Sequence, residues 1–130
     1  MSNEFPPIFD ADSKNISIDF DGVIHNNDKG WHDGTCYGDP IPNALIAIEA
    51  LSKRFNIIIT TAKAKSDRPL VNGKTGLELV REWCCKHGIM EYIKEITAEK
   101  PRACIYIDDK GYRFENWRDT MFFLANTNAS

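Results

Sequence analysis

The 130-residue chain predicts a single three-layer α/β domain, a mainly parallel sheet with helices on both faces. Three observations predict it. Short β-branched runs recur at Asn15–Asp19, Phe55–Ile59 and Ala103–Ile107. Segments with helical spacing of apolar residues separate them. Each run also ends in polar residues: Asp19-Phe20-Asp21-Gly22, Thr60-Thr61-Ala62-Lys63 and Asp108-Asp109-Lys110. Open α/β sheets bind ligands outside the carboxyl ends of their strands, so this polarity marks one functional edge.

Taken in order, residues 1–14 read as a loose lead-in, because two prolines and acidic residues replace the basic start and apolar core of a secretory signal. A cytoplasmic protein is the expectation. The first strand, with Ile16 and Ile18, stops at Asp-Gly. From His25 to Pro42 the chain is rich in Asn, Asp, Gly and Pro, with Trp31 and Tyr37 interspersed, which suggests an ordered flap or small hairpin. Pro42–Arg54 carries Leu45, Ile46, Ile48 and Leu51 near helical spacing, with proline in the opening turn. Phe55–Ile59 is continuous enough for a strand buried on both faces. After a polar loop, Leu77, Val80, Trp83 and Cys84 repeat at helical spacing until Gly88. Tyr92–Thr97 and Ala103–Ile107 read as strands. Asn116 suits the cap of a last helix, Trp117–Ala125, although Met121–Leu124 also fits an edge strand. The domain therefore spans about 15–126.

Bulk composition narrows the function. A net charge of −3 and a pI near 5.6 argue against a general nucleic-acid binder, which needs a basic face. No apolar stretch approaches the length of a membrane span. Cys36, Cys84, Cys85 and Cys104 follow neither a zinc spacing nor a secreted disulfide pattern and read as reduced, small apolar residues.

The chemistry concentrates in the acidic pairs. On an extended strand Asp19 and Asp21 project to the same side. At about 4 Å and an effective dielectric near 20, they would repel by roughly 4 kcal/mol. A divalent cation, a shared proton or exposure to water would offset this. Carboxylate pair, hydroxyl, lysine and carboxylate pair, in that order, are the groups phosphoryl transfer uses. Clustered carboxylates without neighbouring histidine or thiolate ligands suit Mg²⁺ rather than Zn²⁺.

Asp19-Phe20-Asp21-Gly22-Val23, Thr61, Lys100 and Asp108-Asp109 appear in the order of the four motifs of the haloacid dehalogenase superfamily, which the chain resembles from about Ile16 to Trp117. Tyr112-Arg113-Phe114 with Asn116-Trp117 is similar to the tail of small bacterial and phage members. The resemblance implies a Rossmann-like sandwich and a Mg²⁺-dependent phosphatase. In it Asp19 is the nucleophile and Asp21 the acid and base. Thr61 grips the phosphoryl oxygens, with Gly22, Ala62 and Lys63 around the substrate, and Lys100 neutralises charge beside Asp19. Mg²⁺ would be held by Asp19, the Asp21 carbonyl and the last acidic pair, with Asp109 preferred for direct ligation and Asp108 behind it. Lys63 stands where many small members have arginine and lacks its bidentate fork, so it reads best as solvated. Arg113 would orient the acidic pair or reach an anion.

There is no room for the cap domain that gives many members their selectivity. The flap at 25–42 leaves the site open to a phosphorylated small molecule or a macromolecular phosphate ester. A homo-oligomer in which a neighbouring subunit screens the site is compatible with this. The alternative is a non-enzymatic phospho-acceptor or Mg²⁺-dependent interaction module resembling a receiver domain. Its motif order differs, since receivers place the acidic pair early and Lys-Pro last.

Overall fold

A computed structural model describes residues 14–108 and 112–125 of the chain. The expected lead-in therefore lies outside the described residues except for Lys14. Four parallel strands form the sheet: β1 (Asn15–Asp19), β2 (Asn56–Thr60), β3 (Ile93–Thr97) and β4 (Ile105–Asp108). A two-residue strand, β5 (Tyr112–Arg113), pairs in parallel with β4, giving the order β3-β2-β1-β4-β5. The helices are α1 (Ala44–Ser52), α2 (Gly76–Lys86) and α3 (Trp117–Ala125).

Register explains the core. Ile16 stands opposite Ile57 and Ile105, and Ile18 opposite Ile59 and Ile107. Because side chains alternate along a strand, these six isoleucines share one face. They are at most 1% exposed and form one apolar cluster with Ile48 and Leu51 of α1, Val80 and Trp83 of α2, and Trp117 and Leu124 of α3. All three described helices thus pack on one side of the sheet, where sequence predicted helices on both. Handedness accounts for it: β1, β2 and β3 step in one direction, so right-handed crossovers place α1 and α2 on the same face. The connection from β3 to β4 contains no helix, and α3 returns to lie against α1.

Element boundaries shift modestly from expectation. β2 runs one residue later, ending at Thr60, and α2 starts at Gly76 on a capping box that the apolar spacing does not reveal. Glu78 N–H donates to Thr75 Oγ1 at 3.1 Å, and Thr75 N–H donates back to Glu78 Oε1 at 2.8 Å. The last helix forms over Trp117–Ala125 rather than an edge strand. β5 is an addition that two residues could not announce. Among the described residues, no helix is long and apolar enough to cross a membrane.

One close approach positions the functional edge. Residues Ala62–Ala64 form a single 3-10 turn after β2, and Gly76 packs directly against it. A Cβ on Gly76 would stand 1.6 Å from the Lys63 carbonyl oxygen. Gly76→Ala is therefore expected to cost at least about 1–3 kcal/mol through forced displacement of this turn. Urea denaturation reads this directly, and an unchanged midpoint would refute the close approach.

Candidate active site

β1 and β4 are adjacent and parallel, so Asp19 and Asp108 end neighbouring strands at the same sheet edge. They line one open cavity of ≈280 Å³ with Asp21, Gly22, Val23, Arg113 and Phe114. Gly22, at φ 83°, lets the chain turn sharply after Asp21. The Phe20 carbonyl then accepts N–H bonds from Val23, Ile24 and His25. This turn folds His25 back beneath Asp21.

Asp21 is gripped through both oxygens. His25 Nδ1 lies 2.9 Å from Oδ1, and Lys63 Nζ donates to Oδ2 at 2.9 Å. The His25 and Lys63 side chains are 0% and 1% exposed, whereas that of Asp21 is 23% exposed. Burial pushes the Asp21 carboxyl up, but the hydrogen bonds from His25 and Lys63 and the lysine charge outweigh it, and the group ends below the usual carboxylate range. Two expectations change here. Lys63 is a buried partner of Asp21 rather than a solvated cation, because Gly76 and the 3-10 turn carry it inward. The Asp19–Asp21 repulsion is relieved by a protein cation, an option outside the cation, proton or water first considered.

His25 is the residue that sequence reasoning undervalued. Its i,i+4 relation to Asp21 across a glycine turn was the available signal. Trp31, within the expected flap, stacks its ring on Lys63 Nζ at 4.4 Å and on the Arg68 guanidinium at 4.5 Å.

Thr60 and Thr61 separate cleanly. Thr60 Oγ1 bonds Ser17 Oγ at 2.7 Å on the face opposite the helices. Thr61 is buried, and its Oγ1 accepts the Lys63 N–H at 3.2 Å, capping the 3-10 turn. Ala62 is exposed beside it. Lys100 pairs with Asp108 Oδ2 and lies over the Tyr106 ring. Its structural partner is thus the late acidic residue. Asp109, expected as a direct metal ligand, lies outside the described residues.

Among the described residues, no group of three or more His, Cys, Asp or Glu stands close enough to hold a metal ion. The donors at this edge are nonetheless of one chemical kind. Both His25 nitrogens are engaged, by Asp21 and by the Gly38 N–H. Burial pushes the Cys36 thiol up to about 12. Carboxylates remain, and these suit a hard divalent cation that keeps much of its water.

A larger cavity, ≈540 Å³, opens between the starts of α1 and α3. Two of its polar groups are already committed: Asn116 Oδ1 accepts the Asp119 N–H at 2.8 Å, and Asn116 Nδ2 donates to Asp119 Oδ2 at 3.0 Å. No family model matches the chain, nor does any curated protein or solved structure.

Breaking the Asp21–Lys63 pair from one side leaves a buried charge, so Asp21→Ala is expected to destabilise the fold by about 3–5 kcal/mol at neutral pH. Acid acts on the same pair. The folded value of Asp21 lies below its unfolded one, so its stabilisation is present above the ordinary carboxylate pKa and is lost as pH falls through the folded value. Urea midpoints measured from about pH 5 to pH 2 should fall more steeply for the wild type than for Asp21→Asn/Lys63→Met. Parallel curves would show that the pair contributes no such linkage.

Proposed function

We propose that this chain is a Mg²⁺-dependent phosphatase of the haloacid dehalogenase type, without a cap, acting through a phosphorylated Asp19. The observation that carries the reading is the shared cavity at the ends of β1 and β4, which brings Asp19, Asp21, Asp108 and Arg113 together from distant sequence positions. A Rossmann-like parallel sheet and a cytoplasmic setting belong to the same reading.

Asp19 shares its cavity with two lysine-paired carboxylates, Asp21 with Lys63 and Asp108 with Lys100. Pairing lowers the negative field that an incoming phosphate meets. A carboxylate oxygen of Asp19 attacks phosphorus, the bond to the leaving oxygen breaks, and that oxygen takes a proton from Asp21. Water then loses a proton to Asp21 and attacks phosphorus, which breaks the bond to Asp19 and releases inorganic phosphate. The ionised form that His25 and Lys63 favour suits the second half. For the first half, the negative charge of a bound phosphate raises the proton affinity of Asp21. Arg113, exposed on the cavity wall, supplies positive charge for the substrate.

The carboxylates at this edge suit Mg²⁺ by their chemical kind. Asp19 and Asp108, with the Asp21 carbonyl and Asp109, would hold it, and it would supply charge neutralisation to the phosphoryl oxygens. Thr61 and Lys100 would serve those oxygens from β2 and from the loop before β4. The open edge favours a phosphate ester presented at a surface, whether a small molecule or part of a macromolecule.

Phosphate release from an aryl phosphate and a panel of sugar and nucleotide phosphates provides the test. Wild type with Mg²⁺ is expected to turn over, chelation to abolish turnover, and Asp19→Asn to fall to background with its fold intact. Retained activity in that variant would sink the mechanism. A persistent phospho-aspartate without turnover would instead favour the phospho-acceptor reading.

A further inference from the structure

We infer that the segment after β1 is a fixed strap that positions the Asp21 carboxylate, with His25 as a positioning residue locked in its Nδ1–H tautomer and Trp31 as the cover that keeps Lys63 on Asp21. This rests on the phosphatase reading for its catalytic consequence, but its geometry does not.

The tautomer follows from the partners. The Gly38 N–H can only donate, and it points at His25 Nε2 over 2.8 Å, so Nε2 carries the lone pair. The proton then sits on Nδ1 and is donated to Asp21 Oδ1. Gly38 reaches this position because it lacks a side chain: a Cβ there would meet the Asn26 carbonyl oxygen at 2.0 Å and His25 Nε2 at 3.2 Å. The Gly38 carbonyl in turn accepts the Trp83 indole N–H at 2.9 Å, tying the strap to α2. Phe20 stacks on the imidazole at 5.0 Å and 4°, so the ring cannot rotate without displacing the core.

The strap is closed along its length. Asn26 N–H donates to the Asp39 carbonyl and Ile41 N–H to that of Ile24, both near its two ends. Tyr37 OH donates to the Gly30 carbonyl at 2.7 Å across its middle. Trp31 rests on Lys63 from the outside and is itself 43% exposed. A lid would have to break these bonds and expose a buried imidazole on every opening. A strap instead holds Asp21 in one orientation, and the cavity beside it stays open.

Two measurements test this. Long-range ¹H–¹⁵N NMR of the whole chain should find the His25 proton on Nδ1 and the Gly38 amide protected from exchange. A proton on Nε2, or a rapidly exchanging Gly38 amide, would overturn the strap. Kinetics with an aryl phosphate and Mg²⁺ test the positioning. His25→Phe removes the donor but risks the core, so the exposed Trp31→Leu serves as the second variant, and His25→Asn returns an N–H near the place of Nδ1. Trp31→Leu and His25→Phe should lose roughly 10–100-fold in kcat with KM little changed, and His25→Asn should recover much of the loss. A raised KM at constant kcat in Trp31→Leu would make Trp31 a substrate contact and refute the positioning role. A wild type that releases no phosphate, yet shows the Nδ1–H tautomer and a protected Gly38 amide, would defeat the phosphatase reading and leave the strap standing.

Discussion

The buried contact between Lys63 and Asp21 is the constraint around which the functional edge is arranged. An ammonium that is 1% exposed needs a carboxylate at hydrogen-bond distance, because leaving either partner alone in the interior costs several kcal/mol. Three features satisfy it. Gly76 lets the 3-10 turn sit tight against α2 and carries Lys63 inward, Gly22 turns the chain so that His25 meets the second oxygen, and Trp31 covers the lysine. The Lys63–Asp21 contact itself is not local, since the two residues are separated by 42 positions.

A second consequence is electrostatic. The edge gathers Asp19, Asp21 and Asp108, and a parallel sheet offers no way to spread them, because all its strands end on the same side. Lys63 and Lys100 offset two of the three charges. The pairs differ in kind: Lys63 is sealed in, whereas Lys100 is 44% exposed and pairs with a carboxylate that is itself buried. Water screens the second pair more strongly, so it adapts more readily to a ligand.

Much of the fold was legible in the chain. Ile16, Ile18, Ile57, Ile59, Ile105 and Ile107 are β-branched in short runs, and such residues at a buried register leave few alternatives to a parallel strand. α1 and α2 followed from apolar spacing and α3 from the Asn116 cap, where Asn116 does accept the Asp119 N–H. The second helical layer that sequence predicted is not among the described residues, because the faces on which crossovers fall depend on strand order, which periodicity does not encode. The meeting of Asp19, Asp21 and Asp108 was legible from their common place at strand ends.

What the sequence determined by itself, then, is which residues could do chemistry and on which edge they collect, since strand ends and glycine turns are local properties. What tertiary structure alone decided is the state of each group. Lys63 reads as a surface lysine until α2 packs on its backbone, and His25 reads only as the first residue of a flap until Gly38 reaches its far nitrogen. Burial and partner choice depend on contacts between segments tens of residues apart. These set the charge on a carboxylate and the proton on an imidazole, and no pattern within either segment carries them.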